Sequence, residues 1–510
     1  MFAFVLPSII YVGHYMLFAA GLYPGSDFFL GSIFIFSFIP LSIIYILFTV
    51  AMPRSGGEYV FGSRILSPGW GFFAGWALLV AGPFSSSVSI SIPAITYGLG
   101  DMFAVWGLET GNKGAFNTGV TLTQHAGIPG FALMAIFWIG CFIVASIGMR
   151  TIRWTVWITG IVQWIALGVY VAIVATTNFA TVTANMASLT GVTYQALVND
   201  VSSVGYSPGL YSYSATAYAG FTYVALAVFG WTFVSNIAGE IKSKSMVRSM
   251  VFGQIGSLCL LALFTAVFAG ATYLGYTRNF VNALGFLAAS GKDVGLFQVP
   301  MGMSFAVAFA TRNPYLAITP ALGYVFASIG IAVTFAAMAT RNLFAFSFDG
   351  LLPSFMSSVS SNGSPRVATL VALIPGLLFL AVVQFTDYLS VFAYLVILWF
   401  GAYLIVAIAA IAFPYRRKDL FEAAPNIVKR RVAGIPLIAL MGIITLIECI
   451  AGIYAIIAPT LSGGFLSLGP LLYSTLIPLG LGWVIYGIAY FYNKSKNTPF
   501  ALRFKEIPPE

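Results

Sequence analysis

The chain is short of charge. Of its 510 residues only 7% are Asp, Glu, Lys or Arg, while 60% are hydrophobic and the mean hydropathy is +0.95. A soluble domain carries roughly 25% charged residues, so this composition excludes a soluble enzyme or binding module and indicates a polytopic membrane protein. Cysteine is nearly absent. Cys141, Cys259 and Cys449 each fall inside an apolar run with no CxxC or metal-ligand spacing. Neither a disulfide framework nor a zinc site is supported, and the three read as small packing residues. Two histidines, His14 and His125, cannot build a polyhistidine centre, and Glu448 stands alone as an intramembrane carboxylate. An intramembrane enzyme is therefore disfavoured. No GxxxxGK[ST] motif is present, so ATP-driven transport by this chain is unsupported. No cofactor or metal is implied. The net charge of +9 is dispersed in short loops, which argues against nucleic acid as a partner.

Long apolar runs fill the sequence instead. Twelve are readable, at about 1–22, 28–51, 69–98, 131–149, 154–176, 219–239, 249–275, 315–340, 365–385, 388–413, 433–458 and 470–492. Each is far longer than a barrel strand of about 9–11 residues, so each reads as a transmembrane helix. Counting loops alternately, 19 of the 23 Lys and Arg residues fall on one side, and Lys113, Arg278, Lys292 and Arg312 on the other. The positive-inside rule makes the rich side cytoplasmic, with both termini there. The expected location is the cell membrane, multi-pass. No charged leader or cleavage site marks the first run as a signal peptide. The basic loop 414–432 reads as topogenic, with anionic lipid heads as its contact. Segments 99–129 and 177–218 read as long outer loops, and LGFLAAS within 276–314 as a short surface helix.

One run is interrupted. Tyr223–Met250 breaks at Phe229-Gly230-Trp231, turns small and polar at Ser235, Asn236 and Gly239, and ends in Glu240, Lys242, Lys244 and Arg248. Backbone freed inside a membrane is tolerated only where protein or a cavity satisfies it, so this stretch reads as a broken helix lining a substrate site. Gly230 permits close approach and unusual dihedrals. Phe229 and Trp231 are placed to close over a bound side chain. The Thr232 hydroxyl is as well suited to a ligand as to its own helix. In the third run, Ser85, Ser86, Ser87, Ser89 and Ser91 form a ladder that either lines a cavity or glues helices, and Gly69, Gly71 and Gly75 read as close helix packing.

Four motifs occur in a fixed order: MPRSGGEYVFGSRILSP (52–68) followed by GWGFFAGW, the FGW…AGEIKSKSMVRSM stretch, RNLFAFSFDGLLP (341–353), and SPRVATL (364–370). Together they resemble the amino acid–polyamine–organocation superfamily of secondary transporters, over roughly residues 1–460. Lys242-Ser243-Lys244 stands where the family pattern has Lys-Asn-Pro. The resemblance implies an all-α core of ten helices, five plus five in inverted repeat, with helices 1 and 6 broken and two further peripheral helices. Residues 1–413 would form the core, with repeats at about 1–176 and 219–413, and 433–510 the periphery.

The resemblance also implies a site. The partner break belongs around Pro7–His14, with Tyr11, Val12, Gly13 and His14 facing Phe229, Gly230, Trp231 and Thr232 across the substrate. The substrate is then an amino acid or related amine, and a proton or sodium ion is a coupling partner. An ionisable side chain at membrane depth marks a substrate or proton path, and His14 has the reference pKa for proton exchange. The fifth run has no lysine to stand in for sodium; Gln163 occupies that space, and a sodium site would draw on first-helix carbonyls and Ser328. Arg54, Glu58, Arg64, Glu240, Lys242, Arg341 and Asp349 form the expected cytoplasmic gate. Without an acid in this inferred site, neutral or aromatic amino acids are favoured. A substrate sensor on a transporter fold is the alternative, and a channel lacks the repeated filter it would need.

Overall fold

In a computed structural model of the chain, described at residues 6–124, 127–207, 209–224, 230–241, 245–290, 301–360, 364–386, 395–461, 468–496 and 504, the protein is all-α. Its one sheet among these residues is a two-residue ladder in the basic loop, Arg431–Val432 against Ile435–Pro436.

Among the described residues, ten helices are long and apolar enough to cross a membrane: Phe28–Ala51, Pro68–Thr110, Gly127–Ile147, Met149–Thr176, Met246–Tyr276, Pro314–Phe348, Arg366–Phe385, Leu395–Arg416, Leu437–Ala458 and Leu471–Ser495. Each answers to one of the twelve runs. The two runs without a continuous spanning helix among the described residues are the first and the sixth. The first is a 3-10 stretch, Leu6–Tyr11, followed by an α-helix of only 11 residues, Val12–Leu22. The sixth begins as Tyr213–Ala219, passes through a π turn at Gly220–Val224, and resumes beyond Gly230 as the 3-10 stretch Trp231–Glu240. Residues 225–229 lie outside the described residues.

One large apolar cluster runs through the bundle. The most extensive packing joins Met149–Thr176 to Thr319–Phe348 and Leu395–Arg416 to Leu437–Leu461. The last span is the least enclosed, with 17% of its window buried, so most of its apolar surface is left for lipid. Cys141 and Cys449 are buried and unpaired.

The segments expected as loops are largely helical. The third span runs on to Thr110, and Lys113–Gln124 folds back on it. Glycines that read as loop signals are close-packing positions there. A Cβ on Gly107 would stand 2.3 Å from the Phe116 backbone nitrogen, and one on Gly119 2.4 Å from that of Ala104. Likewise Phe179–Thr190 and Tyr194–Ser203 are helices, each capped by a side chain, Asn178 and Thr193. The sequence around LGFLAAS is helical as expected, within Arg278–Ser290, but Phe280, Phe286 and Leu287 are buried and the helix packs on Val12–Leu22.

The packing reading of the GWGFFAGW glycines also holds. A Cβ on Gly71 would lie 2.2 Å from the Ser63 backbone nitrogen. Gly71→Ala is expected to cost about 1–3 kcal/mol through overpacking, seen as a lower Tm in detergent. Gly401→Ala, with nothing within 4 Å of the added carbon, is the control and should leave Tm unchanged.

Candidate functional site

The i→i+3 bonds of a 3-10 stretch have poorer geometry than those of an α-helix, and the amides that open a helix have no intrahelical acceptor. At membrane depth these need a partner from another element. In the first segment the Ile10 amide donates to Gln163 Oε1 at 3.4 Å. Tyr11 is fully buried, and its hydroxyl meets that of Ser328 at 2.7 Å, which itself donates to the Tyr324 carbonyl at 2.6 Å. A Cβ on Gly323 would come within 2.6 Å of Ile10 Cδ1, so that glycine lets the irregular stretch sit against the Pro314–Phe348 span. Gln163, Tyr11 and Ser328, three residues singled out from sequence, are thus brought together around the first segment. Val12 is buried beside them. His14 lies in the helix, but its side chain is outside what is described.

The sixth segment forms a second cluster. Gly230 has φ +116°, a left-handed backbone that L side chains avoid. Directly after it, Trp231 is fully buried and its indole N–H donates to Ser42 Oγ at 2.7 Å. The indole packs on Phe38 and Tyr403, with ring centroids 5.3 and 5.8 Å away. The Thr232 hydroxyl is 3.2 Å from that of Tyr403. Phe229 lies outside the described residues. Ser85, Ser86 and Ser87 bond back to carbonyls of their own helix around the π turn at Val80–Phe84.

A cavity with about 610 Å³ of open space, mouth included, reaches Gly13. Phe268, Tyr276, Met303, Phe309 and Tyr324 are among its walls, and Gly230, Trp231 and Thr232 are not. Sequence reasoning missed a residue at its edge. Asp101 is fully buried, where a loop aspartate was expected, so Glu448 is not the single buried acid of the bundle. Its only signal was position: it follows the third apolar run directly, and the helix continues through it.

The expected gate residues meet at the basic end, but not in one cluster. Asp349 receives both Arg64 guanidinium nitrogens, at 2.8 and 3.1 Å, Arg54 at 3.2 Å and the Tyr59 hydroxyl at 2.6 Å. Burial pushes its carboxyl up, but the Arg64 hydrogen bonds and the two guanidinium charges outweigh this and hold it below the usual carboxylate range. Arg341 reaches Glu240 Oε1 through two nitrogens at 3.1 and 3.0 Å. Lys242 lies outside the described residues. Glu58 makes no ion pair among the described residues. It is fully buried, with the Tyr45 hydroxyl 3.4 Å from Oε2 and the amides of Asn236 and Asn342 beside it. Burial pushes its carboxyl up to about 7.

Twelve apolar runs, two of them irregular, and a motif pair, GGEYV and DGLLP, joined through Tyr59 and Asp349 define the architecture. A family model described as amino acid permease matches residues 1–484. The chain belongs to the amino acid permease family, within the amino acid–polyamine–organocation superfamily. A comparison with curated proteins gives no match. The permease is therefore a multi-pass membrane protein of a transporter family, not of an enzyme family.

Asp349→Asn in this permease would leave two buried guanidiniums facing a neutral amide. Breaking a buried pair in this way costs about 3–5 kcal/mol, to be measured as loss of Tm in detergent. Glu58 gives a pH signature. Its folded pKa of about 7 lies above the usual 4.5, so the folded state holds a proton that the unfolded chain releases. The resulting stability is fully present below pH 4.5 and is lost as pH rises to 7, a difference of about 3 kcal/mol. Glu58→Gln is expected to match the wild type at pH 4.5 and exceed it at pH 8; parallel thermal-unfolding curves across that window would count against the assignment.

Proposed function

We propose that the permease is a secondary transporter moving amino acids or related amines across the cell membrane by alternating access. The observation that carries this is the pair of interrupted segments. Of the twelve expected spans, the first and the sixth alone lack a continuous spanning helix among the described residues. Half-helix ends and freed carbonyls there offer partial charges of both signs to a zwitterion. In this reading the substrate sits between Tyr11–His14 and Phe229–Thr232, within two inverted halves, about 1–176 and 219–413. The last two spans, beyond the basic loop 414–432, are peripheral.

The 19-to-4 distribution of Lys and Arg supports placing the basic end and both termini in the cytoplasm. The Arg54–Asp349, Arg64–Asp349 and Arg341–Glu240 pairs then latch the inner face and part as it opens. Gln163 and Ser328 already bond to the first segment, which supports a role in holding its irregular stretch rather than coordinating sodium. A proton is the coupling ion this favours, with His14 as its carrier.

Reconstituted into proteoliposomes, the permease should accumulate or exchange at least one member of a labelled amino acid panel under an imposed pH or sodium gradient. No uptake and no exchange of any of them would leave the sensor reading in its place. His14→Ala should abolish the pH dependence of uptake; unchanged pH dependence removes the proton role. Gly230→Ala, strained at φ +116°, should lower uptake at least tenfold.

A further inference from the structure

The third span carries Asp101 into the protein, one turn beyond Tyr97. The aspartate is fully buried, and among the described residues neither carboxylate oxygen has a hydrogen-bond partner of good geometry. The Gly302 backbone amide lies alongside it. Gly302 also lines the cavity that reaches Gly13, together with Tyr97, Tyr324 and Met303. A Cβ on Gly302 would stand 2.0 Å from Asp101 Oδ2 and 3.0 Å from the Tyr97 ring. The glycine therefore leaves the carboxylate room at the cavity wall. Among the described residues lining this cavity there is no Lys, Arg or His and no carboxylate.

A carboxylate at membrane depth is expensive unless it is neutralised or paired, and such residues mark ligand paths. Here the neighbouring rings add a second feature. Tyr97 and Tyr324 lie with centroids 5.9 Å apart, and Tyr324 is 5.3 Å from Tyr11 of the first segment. Aromatic faces attract an organic cation, and these three run from Asp101 to the first segment's irregular stretch. The cavity is otherwise apolar and offers a small inorganic ion few oxygens, whereas hard cations take six or more.

We propose that Asp101, directly behind Gly302 of the cavity wall, forms with Tyr97 and Tyr324 an ammonium-binding subsite beside the cavity, selecting substrates that carry a second positive charge. This rests on the transport reading for its physiological role, but the binding itself does not. It also reverses the preference for neutral substrates drawn from the sequence, where Asp101 was placed in a loop.

The test is equilibrium binding to the purified full-length permease in detergent. The probes are L-lysine, L-norleucine, which lacks only the distal ammonium, and n-butylammonium, which lacks the amino acid group. The wild type is expected to bind lysine about 10–100-fold more tightly than norleucine, the range for a hydrogen bond to a charged group. Asp101→Asn should abolish that preference while holding norleucine within about twofold, and Gly302→Ala, which displaces the carboxylate, should weaken it similarly. Lysine binding no better than norleucine in the wild type overturns the proposal, whether or not either variant folds. So does an unchanged preference in a monodisperse Asp101→Asn protein. An Asp101 effect seen only on replacing choline chloride with sodium chloride overturns it in favour of an inorganic cation. Butylammonium separates this reading from the transport reading. Asp101-dependent binding of butylammonium without any amino acid flux supports the subsite alone, and flux of neutral amino acids without Asp101 dependence removes the subsite alone.

Discussion

A peptide amide inside a bilayer has no water to turn to, and the architecture of this permease depends on how that is managed where its helices fail. Among the described residues, ten spans manage it by helical bonding along their own length, even where a 3-10 or π stretch is built in, as at Ser32–Phe38 and Val80–Phe84. The first segment is shorter, a 3-10 stretch at Leu6–Tyr11 opening an α-helix of only 11 residues, and it draws on its neighbours. Gln163 supplies an acceptor to Ile10 from one neighbouring helix, and Ser328 pairs with Tyr11 from another. Those neighbours, Met149–Thr176 and Thr319–Phe348, are also the most extensively packed pair in the bundle. The irregular stretch is thus held against the most extensively packed pair of helices.

The same shortage of solvent governs the charges. Low dielectric makes an unpaired buried charge costly and an opposite neighbour valuable. Asp349 collects two arginines and a tyrosine hydroxyl, and stays ionised. Glu58, ten residues before the helix that carries Gly69 and Gly71, is surrounded by amides and a hydroxyl instead, and burial favours its protonated form. The two carboxyls are therefore driven in opposite directions, Asp349 down by its arginines and Glu58 up by burial. Asp101 is a third case, buried with neither a cation nor a good donor among the described residues.

The sequence by itself determined the membrane class, the all-α architecture, the approximate bounds of the spans, the interruptions in the first and sixth segments, and the family. These follow from properties that repeat along the chain: length of apolar run, composition and motif order. Local chemistry also made Gln163, Ser328 and the GGEYV and DGLLP charges conspicuous. What only the tertiary structure decided is pairing and depth. Which arginine meets Asp349, why Glu58 is left without one, why Trp231 is tied to Ser42, and that Asp101 is inside rather than on a loop all depend on helices distant in sequence. Glycines misled most here. Segment 99–129 read as an outer loop, yet Gly107 and Gly119 within it bring backbones into contact, and a Cβ that is absent shows its purpose only when the neighbouring helix is in place.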